Sequence, residues 1–348
     1  LVSLCVPTWN RGAWLRASLE SIRAQDYNPV EILISDNGST DDTESVCRQV
    51  AAEDPRIRYF RHPRNTGLYQ NHNFLLDESR GEFVCFFHDH DTRSPRIVSE
   101  YVKFMQQHPE VGVVCSDWEV TDESGRVLGF RDHAVPAVRP GLDFIEQTVR
   151  SGRSSIGAPG VMLRRSALGD HRIDAEGPLG FGDFALWFRI AERWSIGHVS
   201  QRLWSWRQDA NAQSVRRIVS LIDDYDLVLN SYCDGYLARF PEDRKRVDRW
   251  RRLIRRYIFW ALAFEVGLHY RSQDHSPSAS PTLFEMHPYR LTDQEFKLAL
   301  ARMRAYQTGP DQAAALFMLQ TLLRFRCTWP LAWMTRHYAS MRIILGLR

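Results

Sequence analysis

Residues 81–95 read GEFVCFFHDHDTRSP. An apolar run, Phe83-Val84-Cys85-Phe86-Phe87, breaks into His88-Asp89-His90-Asp91. The apolar residues continue without alternation, as they do in a parallel strand buried on both faces. Side chains at the carboxyl end of such a strand lie at the mouth of an open α/β sheet, where ligands bind. Four charged or metal-capable residues are costly to bury there unpaired, so the pattern calls for a cation, a polar ligand or both. Carboxylate and imidazole together suit Mn²⁺, and carboxylates favour Mg²⁺. The bland alternative is a polar strand end that merely solvates a turn.

The same alternation repeats on the amino-terminal side. Residues 1–6 are strand-like and run into Pro7-Thr8-Trp9-Asn10-Arg11-Gly12. Leu15, Leu19 and Ile22 then recur on one helical face. Residues 30–35 form a second apolar strand, ending in Asp36-Asn37-Gly38-Ser39-Thr40-Asp41-Asp42-Thr43. Gly38 supplies a tight turn, and Asp41 with Glu44 marks a helix start. Residues 57–60 give a third strand, followed by the turn Asn65-Thr66-Gly67 and a helix carrying Asn71 and Asn73. After residue 95 come a helix to about residue 107 and a strand at 111–115. Strands alternating with helices predict an α/β fold with a mostly parallel sheet. The polar turns PTWNR, SDNGSTD and HDHD would then line one crevice. No G-x-G-x-x-G or G-x-x-x-x-G-K-[ST] occurs, so neither an evident dinucleotide fold nor a P-loop ATPase is expected.

Composition sets outer bounds. The chain has 348 residues, 44% hydrophobic and 25% charged, which is ordinary for a globular protein. A net charge of +3 is too small to argue for nucleic-acid binding. The six cysteines form no C-x-x-C pair and read as buried thiols of a reducing compartment. No signal peptide or membrane-length apolar run is visible, so a cytoplasmic location is expected. Leu1 already lies inside a strand pattern, so a short preceding piece is expected.

In order and spacing, VSLCVPTWNR, EILISDNGSTDDT, RNTGLYQNHN and GEFVCFFHDHDTRSP resemble the family 2 glycosyltransferases. The resemblance is strong over residues 1–120 and looser over 155–215. It implies a GT-A fold and transfer of a sugar from a nucleotide donor to a hydroxyl, with inversion. It also implies roles. Pro7, Thr8, Asn10 and Arg11 would line the nucleotide, Asp36 would bond the base, and Asn37 and Gly38 would shape the same pocket. Asn65 and Gly67 would form its wall. The family commonly ends the decisive strand with Asp-Ser-Asp-Asp, whereas this chain has His88-Asp89-His90-Asp91. Asp89 is expected to serve the ribose or the metal, and Asp89, His90 and Asp91 to hold the metal directly or through water. His88 is read as a strand-end structural residue before a ligand.

Further along, a helix starting near Asp183 would bury Leu186, Trp187 and Ile190. Asp183 reads equally as an N-cap or as the general base that an attacking alcohol requires. The resemblance assigns it as base, since the family carries Glu-Asp here; Gly182 replaces the Glu. Arg207, in WSWRQDANAQS, resembles the Arg of a loop that closes over the diphosphate, with Gln208 and Asn211 in place of the usual histidine. A surface Arg on a Trp-rich edge strand is the alternative. Residues 122–125 suggest a hairpin turn, an irregular stretch rich in Pro, Arg and Gly follows, and 150–160 read as a loop flanking the acceptor.

From about residue 215 long helical patterns take over, at 215–240, 241–270, 291–306 and 312–326. Eight basic residues against one acidic fill 244–256. Basic residues interleaved with aromatics in the tail suit an anionic membrane surface, or a helical core with a solvated basic face, the favoured reading. The whole is read as a GT-A domain over 1–214 and a helical region over 215–348. The expected partners are a nucleotide-sugar donor, UDP-linked on family grounds, and a saccharide or lipid-linked saccharide acceptor, with peripheral contact at the inner membrane face and no nucleic acid. Two rivals stay open: a sugar nucleotidyltransferase, and a non-catalytic nucleotide-sugar-binding scaffold of a polysaccharide assembly complex.

Overall fold

The computed structural model describes residues 1–152, 154–175, 182–207, 218–273 and 293–307, together with 309, 312, 313 and 316. Two units are distinguished, Leu1–Ile145 with Ser154–Gln213, and Glu146–Arg153 with Ser214–Arg348.

The first unit begins as the alternation predicts: β1 (Val2–Thr8), α1 (Gly12–Arg23), β2 (Val30–Asp36), α2 (Thr43–Glu53), β3 (Ile57–Arg61), α3 (Leu68–Glu78) and β4 (Phe83–Phe86). It continues with β5 (Thr92–Arg93), α4 (Ile97–Gln107), β6 (Val111–Thr121), β7 (Val127–Arg131), β8 (Val138–Arg139) and α5 (Gly141–Ser151). Last come β9 (Val161–Arg164), α6 (Arg165–Leu168), α7 (Gly182–Ala191) and β10 (Ser195–Arg207). The sheet order is β3-β2-β1-β4-β9-β6-β10-β5, with β7 beside β6 and β8 beside β10. β3, β2, β1 and β4 are parallel, as are β6 and β10. β9 runs against both of its neighbours.

Every residue of β1 and β2 is buried, which is why their apolar runs show no alternation. Leu15, Leu19 and Ile22 of α1 and Ile97, Val98 and Tyr101 of α4 join Val6, Ile32, Ile34 and Cys85 in one core. Each large apolar side chain so buried contributes roughly 1.5–3 kcal/mol. Core packing therefore holds the carboxyl ends of β1, β2 and β4 side by side. Cys5, Cys47, Cys85, Cys115 and Cys233 are free and buried.

Two elements depart from the sequence reading. Residues 141–151, expected within or beside irregular chain, form α5, whose Phe144, Ile145, Thr148 and Val149 are buried at helical spacing. The segment read as a loop leads into β9 through a tight turn pressed against Trp204. A Cβ at Gly157 or Gly160 would stand 2.6 or 2.2 Å from that indole.

The second unit is described through α8 (Ile218–Arg239), α9 (Arg244–Gln273) and α10 (Asp293–Tyr306). Val247, Trp250, Ile254 and Ile258 form the buried face of α9, and Trp250 packs on Tyr232 and Tyr236 of α8. Part of the basic run is paired: Arg246 with Asp243, Arg249 with Glu146 and Arg251 with Asp234. Of the expected helix at 312–326 only residues 312, 313 and 316 are described, and the aromatic tail lies outside the described residues. Among those described, no helix is long and apolar enough to cross a membrane.

Gly38 has φ +73°, and a Cβ there would stand 2.7 Å from the carbonyl carbon of Arg64. Gly38→Ala is expected to lower stability by about 2 kcal/mol or more, measured by urea unfolding. It should also displace the 64–67 turn.

Candidate active site

The ends of β1 and β2 build a polar wall. Asp36 is fully buried. One of its oxygens accepts the Ser39 N–H at 2.8 Å, and the other accepts the Tyr59 hydroxyl at 3.0 Å and faces Arg61 at 3.7 Å. Asn37 ties the second turn to the third. Its amide donates to Asn65 Oδ1 at 2.9 Å and to the Gly67 carbonyl at 3.0 Å, and its oxygen accepts the Thr66 N–H at 2.9 Å. Gly67, with φ +107°, leads into α3. Asn10 takes φ +52°, and its Oδ1 accepts the Thr40 N–H at 2.8 Å. Pro7 and Thr8 lie in register with Ser35 and Asp36. The Thr8 hydroxyl is buried without a hydrogen-bond partner, the state of a group that awaits a polar ligand.

The first turn meets the HDHD segment where Arg11 Nε stands 4.0 Å from Asp89 Oδ1. That oxygen also meets His90 Nδ1 at 3.0 Å. His90 Nε2 faces Asp91 Oδ1 at 3.8 Å. One donor atom each from His88, His90 and Asp91 lies within 4.8 Å of the others. The cluster therefore includes His88, which the sequence reading placed second as a ligand, while Asp89 stands beside it, engaged by His90 and Arg11. Asp91 is fully buried, and its Oδ2 has no hydrogen-bond partner. Two imidazoles and a buried carboxylate with one oxygen lacking a hydrogen-bond partner are a donor set that fits a divalent cation.

Electrostatics distinguish the three groups. Burial drives His88 well below its ordinary value, helped by His90, His72, Arg93 and Arg11, so its ring is neutral and offers a lone pair. Burial also opposes charge on His90, but the hydrogen bond to Asp89 and the charges of Asp91 and Asp89 outweigh it. Asp91 is raised by burial, against the pull of His90, Arg93 and the Arg207 N–H.

Arg207 ends β10, and its backbone N–H donates to Asp91 Oδ1 at 2.9 Å. Its guanidinium lies over the Trp14 ring at 4.8 Å, with Nε buried and unpartnered. Arg93, not singled out in the sequence, is buried over Phe87, and burial lowers it to about 10. Gln208 and Asn211 lie outside the described residues.

Asp183 is half-buried in the first turn of α7. Burial raises its carboxyl to about 6, against the pull of its own and the Phe184 N–H and of Trp187. The preceding Gly182 N–H donates to the Tyr69 hydroxyl of α3 at 3.0 Å. A Cβ at Gly182 would stand 2.7 Å from that ring, so glycine belongs where Tyr69 occupies the space. The structure thus brings Pro7, Thr8, Asn10, Arg11, Asp36, Asn37, Gly38, Asn65, Gly67, Asp89, His90, Asp91 and Arg207 into one linked group. Asp183 is connected to it through Tyr69 and the helix that follows Gly67. Tyr59, Arg61, Trp14 and Arg93 carried no motif that could have revealed them.

Residues 3–171 match the family model described as glycosyl transferase family 2. The chain carries a glycosyl transferase family 2 domain. A GalNAc(5)-diNAcBac-PP-undecaprenol beta-1,3-glucosyltransferase of Campylobacter jejuni is 42% identical over 91 residues, 26% of this chain and 29% of that protein. The putative glycosyltransferase EpsE of Bacillus subtilis is 29% identical over 235 residues, 65% of this chain and 80% of its own. Matches to several curated relatives of this domain span well under half of those proteins' lengths, 29%, 38% and 22%. The S. aureus TarS 1-349 crystal structure aligns with TM-score 0.56 at 17% identity, covering 97% of this chain and 91% of that one. The mannosyltransferase PcManGT of Pyrobaculum calidifontis, solved with GDP-Man and Mn2+, aligns with TM-score 0.54 at 18% identity, covering 97% and 84%. These neighbours share the GT-A fold.

A carboxyl raised to about 6 in the fold binds its proton more tightly than in the unfolded chain. Its cost to stability is therefore absent at low pH and fully present above about pH 6. Asp183→Asn keeps a capping side chain and removes that cost. It should raise the melting temperature at pH 8, with the gain shrinking as pH falls toward 5, followed by thermal unfolding. A simple N-cap whose charge is favourable would give a loss at pH 8.

Proposed function

We propose that this chain is an inverting glycosyltransferase, moving a sugar from a nucleotide-sugar donor to a hydroxyl of a saccharide or lipid-linked saccharide. The observation that carries the reading is the linked group at the carboxyl ends of β1, β2 and β4. There the polar turns after β1 and β2, tied to each other and to the 65–67 turn, meet the His88, His90 and Asp91 cluster through the approach of Arg11 to Asp89. The relatives support it: one is named for transfer to an undecaprenol-linked saccharide, and structural neighbours were solved with UDP-GlcNAc and with GDP-Man and Mn2+. A UDP-sugar is the favoured donor, and assembly of a bacterial surface polysaccharide at the cytoplasmic membrane face is the favoured setting.

In this reading Asp36 and Asn37 orient the base, and Thr8 offers its free hydroxyl to the nucleoside. His88, His90 and Asp91 would hold a divalent cation, Mn²⁺ favoured and Mg²⁺ acceptable, with Asp89 positioning His90 or reaching the ribose. When bound, such a cation supplies positive charge to the diphosphate. Asp183 takes the proton of the acceptor hydroxyl as its oxygen bonds to the anomeric carbon. The bond from that carbon to the diphosphate breaks on the opposite face, which inverts the centre and frees a nucleoside diphosphate. Arg207 stabilises the charge on the departing group through its unpartnered Nε.

The test is nucleoside diphosphate release from a panel of nucleotide sugars with Mn²⁺, Mg²⁺ or EDTA. One donor should be hydrolysed slowly, EDTA should stop it, and with acceptor present Asp183→Asn should cut turnover about 10²-fold or more. Release of pyrophosphate would indicate a nucleotidyltransferase, and tight nucleotide binding without turnover of any donor a scaffold. Because Asp183 must be ionised to accept a proton, and burial places it at about 6, kcat should decline tenfold per pH unit below that value. A flat profile from pH 5 to 8 would remove Asp183 from the role.

A further inference from the structure

A second cluster lies away from HDHD, on β6, β10 and the segment after β7. Asp117 and His198 are buried, and His133 is partly exposed. Asp117 Oδ1 receives His198 Nε2 at 3.0 Å, His133 Nδ1 at 3.2 Å and the His133 backbone N–H at 2.8 Å. One donor atom from each of the three side chains lies within 4.8 Å of the others. A cation with bonds of ~2.1 Å sets its ligand atoms about 3.0–3.4 Å apart in octahedral or tetrahedral geometry. Two edges of such a polyhedron are thus already in place. β10 shifts register between Val199 and Arg202 and again between Arg202 and Trp204, opposite Asp117, the kind of irregularity that re-aims side chains.

The far side of His198 has a partner for each protonation pattern. Its Nδ1 faces Cys115 Sγ at 3.6 Å, and that sulfur also lies 3.4 Å from the Ser155 carbonyl and 3.5 Å from the Gly197 carbonyl. A neutral imidazole has one N–H. When the thiol donates to a carbonyl, sulfur accepts the Nδ1–H, and Nε2 turns a lone pair toward the Asp117 carboxylate. Two lone pairs at 3.0 Å repel unless a metal cation or a further proton is shared between them. In the metal-free form Nε2–H donates to Asp117 and the thiol proton turns to Nδ1. A metal-ligating imidazole is ordinarily oriented by a bond at its other nitrogen, and Cys115 supplies it.

We propose that Asp117, His133 and His198 form a second metal site, separate from HDHD, for a borderline divalent cation of the Zn²⁺ class. Two imidazoles and one carboxylate are a donor set such ions accept. The cation would pin the segment after β7 to β6 and β10. It would also steady the ring stack in which His133 lies 4.9 Å from Trp118, and Trp118 lies 4.9 Å from Trp204. Trp204 pairs with Arg93, just past the HDHD segment. The inference does not depend on the glycosyltransferase reading.

The test titrates Zn²⁺ alone into chelator-stripped protein, counting equivalents with a competing chromophore and following tryptophan emission and melting temperature. Wild type should bind two equivalents, His133→Ala one, His90→Ala one, and the double variant none. The emission change should follow the His133 site. His133 is partly exposed, so its substitution is tolerated by the fold; Asp117→Asn gives an independent second variant with nearly unchanged shape. The proposal is overturned if His133→Ala and Asp117→Asn keep the wild-type count and affinity. It is equally overturned if wild type binds one equivalent that His90→Ala abolishes.

Discussion

Asp91 is buried completely, and only one of its carboxylate oxygens has a hydrogen-bond partner. An unpaired buried carboxylate oxygen costs free energy that the surrounding fold must offset. Asp91 lies in the short connection between β4 and β5; Arg93, two residues on, faces it with its charge, and the last residue of β10 reaches it through the Arg207 N–H. The carboxylate is therefore held by its own turn and by one strand 116 residues away in sequence. A cation brought to it would relieve the cost. The same logic applies to the Thr8 hydroxyl and the Arg207 Nε, both buried and unpartnered at the edge of the same crevice.

The histidines alter the chemistry of this corner relative to an all-carboxylate site. Two neutral or shared-proton imidazoles carry less negative charge than carboxylates, so the cluster repels itself less when empty. His90 bridges Asp89 and Asp91 and can balance their charge with a proton. That explains how the first unit tolerates two buried carboxylates, three and five residues beyond the end of a fully buried strand. Gly182 shows a second local exchange: Tyr69 fills the space a side chain would take and fixes the start of α7 by its hydroxyl. Asp183 then sits where burial, not a neighbouring acid, raises its carboxyl.

Much of the first unit was legible because buried parallel strands declare themselves as unbroken apolar runs. β1, β2 and β4 and the face of α1 were readable from Val2, Ile32, Phe83 and Leu15 outward, and the turns after the strands from Asn10, Gly38 and Gly67. Residues 141–151 were not, since Pro140 and Gly152 at its ends masked the helical spacing of Phe144, Thr148 and Val149. β9 is a four-residue run directly after a Gly- and Ser-rich stretch, too short to announce itself, and it runs antiparallel between β4 and β6. The linkage of Asp117, His133 and His198 spans three elements with no common motif, so only the pairing of β6 with β10 reveals it. Arg93 and Tyr59 act through burial, which sequence does not report for single polar residues. His88 could have been weighted more heavily had its position outside the strand, which stops at Phe86, been foreseen.

We propose that the crevice at the ends of β1, β2 and β4 holds a nucleotide and a cation together, with Asp91 at the junction. The most direct measurement is a crystal structure of the protein with a nucleoside diphosphate and Mn²⁺, with the metal located by its anomalous signal. A peak is expected within bonding distance of an Asp91 carboxylate oxygen and of a His88 or His90 nitrogen, with the base beside Asp36. A nucleotide bound elsewhere, or bound beside Asp36 with no metal at Asp91, would contradict it.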